Sequence, residues 1–437
     1  MSINVIGAGL AGCEAAFQIA KRNIHVNLYE MKPEKKTPAH KSDKYAELVC
    51  SNSFKADHLG SAAGLLKAEL RILDSLLIRC ADKAKIPAGS ALAVDRDIFS
   101  GLVTEEILNN SNITVFSKEI EKIPMEGMTI IAAGPLVSEP LSADIAGRFN
   151  GALSFYDASA PIVALGSIDM NSAYFASRYG KGDGDDYLNC PLSKEEYDIF
   201  YNALISAERA PVHGADIQNP NVYEGCIPVE ILARRGYDTL RFGAMKPVGL
   251  TNPSTEARDY AVLQLRKENS AGSLYNLVGF QTNLKWGAQK EVFGLIPALK
   301  KAEFVRYGVM HRNTFIDSPR ILNADFSTKK YGNIFFAGQI TGVEGYMESV
   351  FSGLFAGINT VFRYNNIKPA VYPEETVSGS LCRYISDETI IDFQPIGANF
   401  GILPPLDGKI KDKKQRGQAY SERSLSKLKE YVLEIML

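Results

Sequence analysis

The chain has 437 residues, a formal net charge of −2, 46% hydrophobic and 22% charged residues. That length exceeds the roughly 250–300 residues of a single core and predicts two or three domains, while the composition excludes a disordered or fibrous chain and gives no global sign of a nucleic-acid partner. No apolar run reaches the roughly 18 residues of a membrane span, the N-terminus reads as a strand and not as a leader, and six cysteines lacking CxxC pairs or Cys/His clusters exclude a disulfide framework and a structural zinc site. A cytoplasmic protein, without membrane or metal, is expected.

The first element is a strand, Asn4-Val5-Ile6, that runs into Gly7-Ala8-Gly9-Leu10-Ala11-Gly12 and then into an apolar-periodic helix from Cys13 to Lys21. This order suits a dinucleotide: Gly7 permits the tight turn, Gly9 lets backbone approach a pyrophosphate, and Gly12 lets the helix pack closely. The helix N-terminus, with Ala8, Leu10 and Ala11 between the glycines, supplies unpaired amides and partial positive charge. A second strand, Ile24 to Glu30, ends in a carboxylate eighteen residues beyond Gly12, where an acceptor for ribose hydroxyls belongs.

Cys50 follows in Ala46-Glu47-Leu48-Val49-Cys50-Ser51-Asn52-Ser53-Phe54, where an apolar segment meets a polar turn. Next comes Met128-Thr129-Ile130-Ile131-Ala132-Ala133-Gly134-Pro135, a β-branched run stopped by small residues, as in a buried parallel strand reaching a cofactor edge. Residues 151–302, rich in Tyr, Asn, Pro and Gly with mixed short periods, read as an inserted α+β domain. Within it Gly180, Gly182 and Gly184 read as a solvated loop, so a nicotinamide has no Rossmann site of its own. Cys226, in Glu224-Gly225-Cys226-Ile227-Pro228, sits on a loop that a substrate can reach, whereas Cys13, Cys80, Cys190 and Cys382 have no comparable setting and read as core thiols.

The last motif is Asn333-Ile334-Phe335-Phe336-Ala337-Gly338-Gln339, then Ile340-Thr341-Gly342-Val343-Glu344-Gly345-Tyr346 and a helix to about Asn359. It reads as strand, Gly-rich loop and helix N-terminus, suited to a second phosphate or a flavin's ribityl chain. The fold class expected is therefore α/β: a Rossmann-like FAD-binding domain built from 1–150 and 303–437, interrupted by the insertion.

Long ordered segments carry a family resemblance: Glu47 to Ser53, Ala91-Leu92-Ala93-Val94-Asp95-Arg96, Tyr187-Leu188-Asn189-Cys190-Pro191, Glu224-Gly225-Cys226, Met245-Lys246-Pro247-Val248-Gly249-Leu250, Val278 to Gly287, Val309-Met310-His311-Arg312-Asn313-Thr314-Phe315, and Phe336 to Gly345. The chain resembles the folate- and flavin-dependent tRNA (uracil-5-)-methyltransferases, relatives of the flavoproteins that modify the wobble uridine of tRNA. It departs at Ser90, where the pattern has Gly, and at Gly397, which interrupts a Phe-Gln-Pro segment.

The resemblance implies a methyl group placed on carbon 5 of uracil, most often the T-loop uridine of tRNA, with the carbon from methylenetetrahydrofolate. It further implies reduction through FAD and recharging by NADPH or NADH. Cys226 is implied as the thiol that adds to carbon 6 and Cys50 as a second catalytic thiol. His311 is expected to cover the pterin ring, and Lys285 and Arg312 to meet folate carboxylates. For RNA the candidate cations are Lys409 to Arg416, and Arg234, Arg235, Arg241 and Lys246. The same reaction on ribosomal RNA, a small-molecule flavin oxidoreductase and a non-enzymatic RNA-binding flavoprotein are the alternatives. The wobble-uridine relatives carry a further C-terminal helical domain, so a chain stopping at Leu437 is not expected to share their role.

Overall fold

A computed structural model describes residues 2–37, 39–149, 153–211, 227–391, 393–408 and 410–436, with backbone alone at 153–157, 311–312 and 435–436. Its first sheet is five-stranded and wholly parallel, in the order Ile334–Phe336, Thr129–Ile131, Ile3–Ile6, Val26–Glu30, Ile113–Ser117. Residues 1–150 and the last third of the chain thus share one sheet, with Ile130 paired to Val5 on one side and Phe335 on the other. The three strands Ile334–Phe336, Thr129–Ile131 and Ile3–Ile6 are short, mostly apolar and almost wholly buried, as a sheet covered on both faces requires, whereas the edge strand Ile113–Ser117 is largely exposed. Gly7, Gly134 and Gly338 follow the C-terminal ends of its three adjacent strands, the edge where open α/β sheets bind ligands.

The helix behind the first glycine turn runs Leu10–Ala20, starting earlier than the periodicity predicts. Gly9 takes the N-cap position in an extended conformation, so Leu10 already makes the first helical turn. Against it lies the helix Tyr346–Tyr364, five residues longer than predicted because Thr360 and Val361 are buried and carry the packed face onward. The two helices cross closely. A Cβ on Gly353 would lie 2.2 Å from the Ala11 carbonyl oxygen, and one on Gly357 2.9 Å from that of Ala15. Small residues on both helices thereby lock the first and last glycine turns to each other.

A second sheet of six antiparallel strands orders as Tyr174–Phe175, Tyr187–Leu192, Ala261–Lys267, Leu274–Leu277, Ile162–Ala164, Phe304–Arg306. It has its own hydrophobic cluster from Val163 to Ala302, separate from the one spanning Ile3 to Phe149 and Phe315 to Leu403. Its last strand lies beyond Ala302. Two antiparallel strands, Leu153–Ala158 and Met310–Phe315, carry the chain between the sheets. The loop holding Gly180, Gly182 and Gly184 is largely exposed, as expected, and is tied down at one point. Asp186 accepts from the Gly89 amide at 2.5 Å, and a Cβ on Gly182 would lie 2.0 Å from Asp186 Oδ2.

Lys67, fully buried on the helix Ala62–Ile72, donates to the carbonyls of Phe54 and Ala63, both at 2.8 Å. Burial pushes its ammonium down from 10.5 to about 8. Below pH 8 the folded state carries this charge at a cost of about 3 kcal/mol, and from there to the unfolded value the unfolded chain holds more protons, so stability rises with pH. In urea unfolding between pH 8 and the unfolded lysine value, the wild type should gain stability relative to Lys67→Met, by up to about 3 kcal/mol; parallel curves would refute it.

Candidate active site

The first glycine turn is set by two contacts. Gly7 has φ +98° and approaches Ala132, so that a Cβ would lie 2.6 Å from the Ala132 carbonyl oxygen; at Gly12 a Cβ would lie 1.7 Å from the Gly7 carbonyl oxygen. Gly9 and Gly134 are different. No atom comes within 4 Å of a Cβ built at either, because both border an open cleft. The helix end facing it has no side-chain cap and no acidic residue in its first turn, leaving amides and dipole directed outward.

That cleft brings together Gly7, Ala8, Gly9, Leu10, Ala11, Glu30, Gly134, Gly338 and Gln339. Glu30 is buried and pins the turn: its carboxylate accepts from the amides of Ala8 at 2.8 Å and Lys32 at 3.0 Å. Glu47 Oε2, on the same wall, is buried without a hydrogen bond, 3.7 Å from Lys32 Nζ. An elongated cleft with free amides at a helix N-terminus, two glycines whose missing Cβ leaves open space, and a carboxylate at the end of the second strand fits a dinucleotide such as FAD. Gly12 and Gly342 stand outside the cleft: Gly12 packs on the turn, and Gly342 lies against the Phe393 ring.

A second pocket opens from the first, sharing Val49, Pro135, Leu136, Gln339 and Tyr346 with it and adding Cys50, Asn313 and Gly345. Cys50 is half-buried, its sulfur 3.8 Å from the Ala158 carbonyl oxygen. Tyr346 Oη accepts from the amides of Cys50 at 2.9 Å and Ser51 at 3.1 Å. Burial, followed by the charge of Cys50, pushes the Tyr346 phenol well up, so it remains protonated. Tyr346→Phe strands both amides, at about 1–3 kcal/mol for each that stays dry. Its expected result is at least roughly tenfold slower turnover with flavin retained; wild-type turnover would contradict the positioning role.

The other described thiols are core residues. Burial pushes Cys190 up to about 12 and Cys80 to about 11, and raises Cys13 and Cys382 as well. Cys226 lies outside the described residues, but the chain on both sides of it is anchored to one segment. Ala210 donates to the Asn283 carbonyl at 2.7 Å and Val229 to that of Gln281 at 2.7 Å. The Glu230 carboxylate accepts from Thr282 Oγ1 and the Asn283 amide, both at 2.9 Å. His311 and Arg312 occupy a strand paired with 153–158, and their side chains lie outside the described atoms. Lys285 is exposed and paired with Glu208.

Of the RNA candidates, Arg241 stacks on Tyr260 at 3.7 Å and pairs with Asp238 at 2.5 Å, and Arg234 donates to the Ile205 carbonyl at 2.7 Å. Both are engaged within the protein. Lys413, Lys414 and Arg416 are exposed at the start of the helix Lys413–Met436; Lys409 lies outside the described residues. Among the described residues no helix is long and apolar enough to cross a membrane, and no group of three His, Cys, Asp or Glu is placed to hold a metal.

Sequence reasoning missed Tyr346 and three arginines, Arg96, Arg266 and Arg306, that grip the Cys50 loop. Arg96 closes a motif already read for its family resemblance, but nothing local marks Arg266 or Arg306, each on a strand of the second sheet.

The family model described as glucose inhibited division protein A matches residues 2–368. The methylenetetrahydrofolate–tRNA-(uracil-5-)-methyltransferase TrmFO of Acetivibrio thermocellus is 57% identical over 433 residues, 98% of each chain. Proteins of the same name from Desulfitobacterium hafniense and Halalkalibacterium halodurans are 54% identical over 432 residues, again 98% of each chain. Among solved structures, GidA of Aquifex aeolicus matches with TM-score 0.68 at 15% identity, over 100% of this chain and 76% of that one, which shows a common fold.

Proposed function

We propose a function from one premise: the chain belongs to the glucose inhibited division protein A family and to the methylenetetrahydrofolate–tRNA-(uracil-5-)-methyltransferases. It is an RNA (uracil-5-)-methyltransferase that makes 5-methyluridine in tRNA, with methylenetetrahydrofolate as carbon donor and FAD as cofactor. The observation that carries this reading is the opening of the dinucleotide cleft into the Cys50 pocket, which puts a thiol next to the place a flavin ring would reach.

Residues 1–150 and 303–437 bind FAD and 151–302 form the inserted module, except that the strand Phe304–Arg306 belongs to the insertion's sheet. The turn Gly7 to Gly12 receives the pyrophosphate and Glu30 the ribose, while Gly134, Gly338, Gln339 and Gly345 shape the remainder of the site and Gly342, packed on Phe393, supports their loop from outside it. When bound, FAD supplies reducing equivalents and relays the one-carbon unit. Cys226 adds to carbon 6 of uracil, which makes carbon 5 nucleophilic. After carbon 5 has taken the carbon unit, Cys50 accepts its proton and Cys226 departs, restoring the ring. His311 covers the pterin. NADPH or NADH reaches the flavin through the same cleft. The target is the T-loop uridine, unstacked to reach the thiols, with ribosomal RNA the second candidate.

Sustained NADPH oxidation tests the class of enzyme. It should require both methylenetetrahydrofolate and RNA, and comparing tRNA with ribosomal RNA transcripts identifies the substrate. Full turnover without folate or RNA would favour a small-molecule oxidoreductase.

A further inference from the structure

A thiol that accepts a proton must first lose its own, and the surroundings of Cys50 supply the means. Arg96 donates to the carbonyls of Leu48 and Cys50, the latter at 3.3 Å. Arg306 donates to the carbonyl of Val49. Arg266 donates to Asn52 Oδ1 and Ser51 Oγ, both at 3.0 Å. Each residue from Leu48 to Asn52 is therefore held by a guanidinium group, and the arginines come from a helix of the first module and two strands of the second sheet.

Among the described residues these cations are short of anions. Arg96 pairs with Glu268 at 2.6 Å, with side-chain exposures of 16% and 3%, while Arg266 is 7% exposed and Arg306 half-buried. Among the described ion pairs Glu268 is the one carboxylate of this cluster. On the far wall of the pocket Lys55 and Glu348 neutralise each other at 3.4 Å, Glu344 is held by Gln339 at 2.5 Å, and Tyr346 is an uncharged phenol. The strand Leu153–Ala158 contributes the Ala158 carbonyl oxygen, which accepts from the Cys50 thiol at 3.8 Å and is the contact given up when the proton leaves. Guanidinium groups stay charged at any ordinary pH, and buried charge without a partner is costly, so an excess of cations favours an anion at the point they surround.

We propose that Arg96, Arg266 and Arg306 form a cationic cradle that holds Cys50 as a thiolate, making them positioning residues for a proton-accepting thiol. The proposal deepens the function above and rests on it for the use of the thiolate, but not for its existence. The step is a proton transfer alone: Cys50 releases its proton to solvent before turnover and takes one from carbon 5 of the substrate during it.

Alkylation of the flavin-loaded, full-length protein by iodoacetamide across a pH series, resolved to Cys50 by peptide mass spectrometry, tests this without folate or RNA. Wild-type Cys50 should reach half its limiting rate well below the ordinary thiol value of about 8.5. Arg306→Gln should raise that midpoint by about one pH unit, a roughly tenfold loss of rate near neutral pH, and Arg306→Lys should recover most of it. Glu268→Gln, which removes the cluster's anion, should lower the midpoint, a direction that mere loosening of the loop would not produce. A wild-type midpoint at or above the ordinary value overturns the cradle, whatever the variants do. So does a midpoint unmoved by both Arg306→Gln and Glu268→Gln. A low, charge-sensitive midpoint together with full methyl transfer by Cys50→Ala would leave the cradle standing and remove the catalytic role instead.

Discussion

Gly9→Val is expected to yield a protein that folds normally and does not hold its flavin, whereas Gly12→Val should fail at the level of the fold. Gly9 has φ −75° and ψ −167°, a conformation open to any residue, and nothing lies within 4 Å of its Cβ direction except the cleft. A side chain there costs the flavin-free protein little, yet it occupies the space into which a pyrophosphate must come. At Gly12 the Cβ would sit 1.7 Å from the Gly7 carbonyl oxygen, so helix and turn must separate. Such overpacking costs about 1–3 kcal/mol or more and lowers the melting temperature by several degrees. The ratio of flavin to protein absorbance, with thermal unfolding of the deflavinated protein, separates the two. Gly9→Val should lose at least roughly tenfold in flavin affinity at an unchanged melting temperature. Full flavin retention by Gly9→Val would mean the cofactor does not approach this turn.

The larger catalytic loss is expected from Cys50→Ala. Cys50 lines the pocket adjoining the dinucleotide cleft, and removing a group that takes part in bond making or proton transfer costs far more than removing a packing atom. Methyl transfer should fall by at least about a thousandfold with flavin content unchanged. Cys190→Ala is the control: that thiol is wholly buried in the second cluster, so its loss should cost about 1 kcal/mol of stability and leave turnover intact. Steady-state formation of 5-methyluridine by both variants checks this, and equal rates would show that Cys50 has no part in the chemistry.

What the sequence made legible follows the reach of local patterns. The three glycine turns, at Gly7, Gly134 and Gly338, each stand after a short, mostly apolar run, and a pattern of a few residues suffices to place them at one sheet edge. Glu30 was readable because its distance from Gly12 is fixed by one helix and one turn. Cys13, Cys80, Cys190 and Cys382, which lack the Gly-Pro loop setting of Cys226, are all buried. Side chains assembled from distant segments left no such trace. Tyr346 meets the Cys50 amide across 296 residues, and Arg306 meets Val49 across 257. The strand Phe304–Arg306 likewise joins the second sheet by pairing with Ile162–Ala164, a partner no short window contains. Gly182 looked like loop filler because the Asp186 contact that requires a glycine forms only once the loop has folded back.

The central claim, that this chain moves a carbon from folate to uracil, is tested most directly by nucleoside mass spectrometry. An unmodified tRNA transcript is incubated with the protein, FAD, NADPH and isotopically labelled methylenetetrahydrofolate. The account predicts labelled 5-methyluridine with the wild type and none with Cys50→Ala. Unlabelled product, or no product while the flavin is bound and reduced by NADPH, would contradict it.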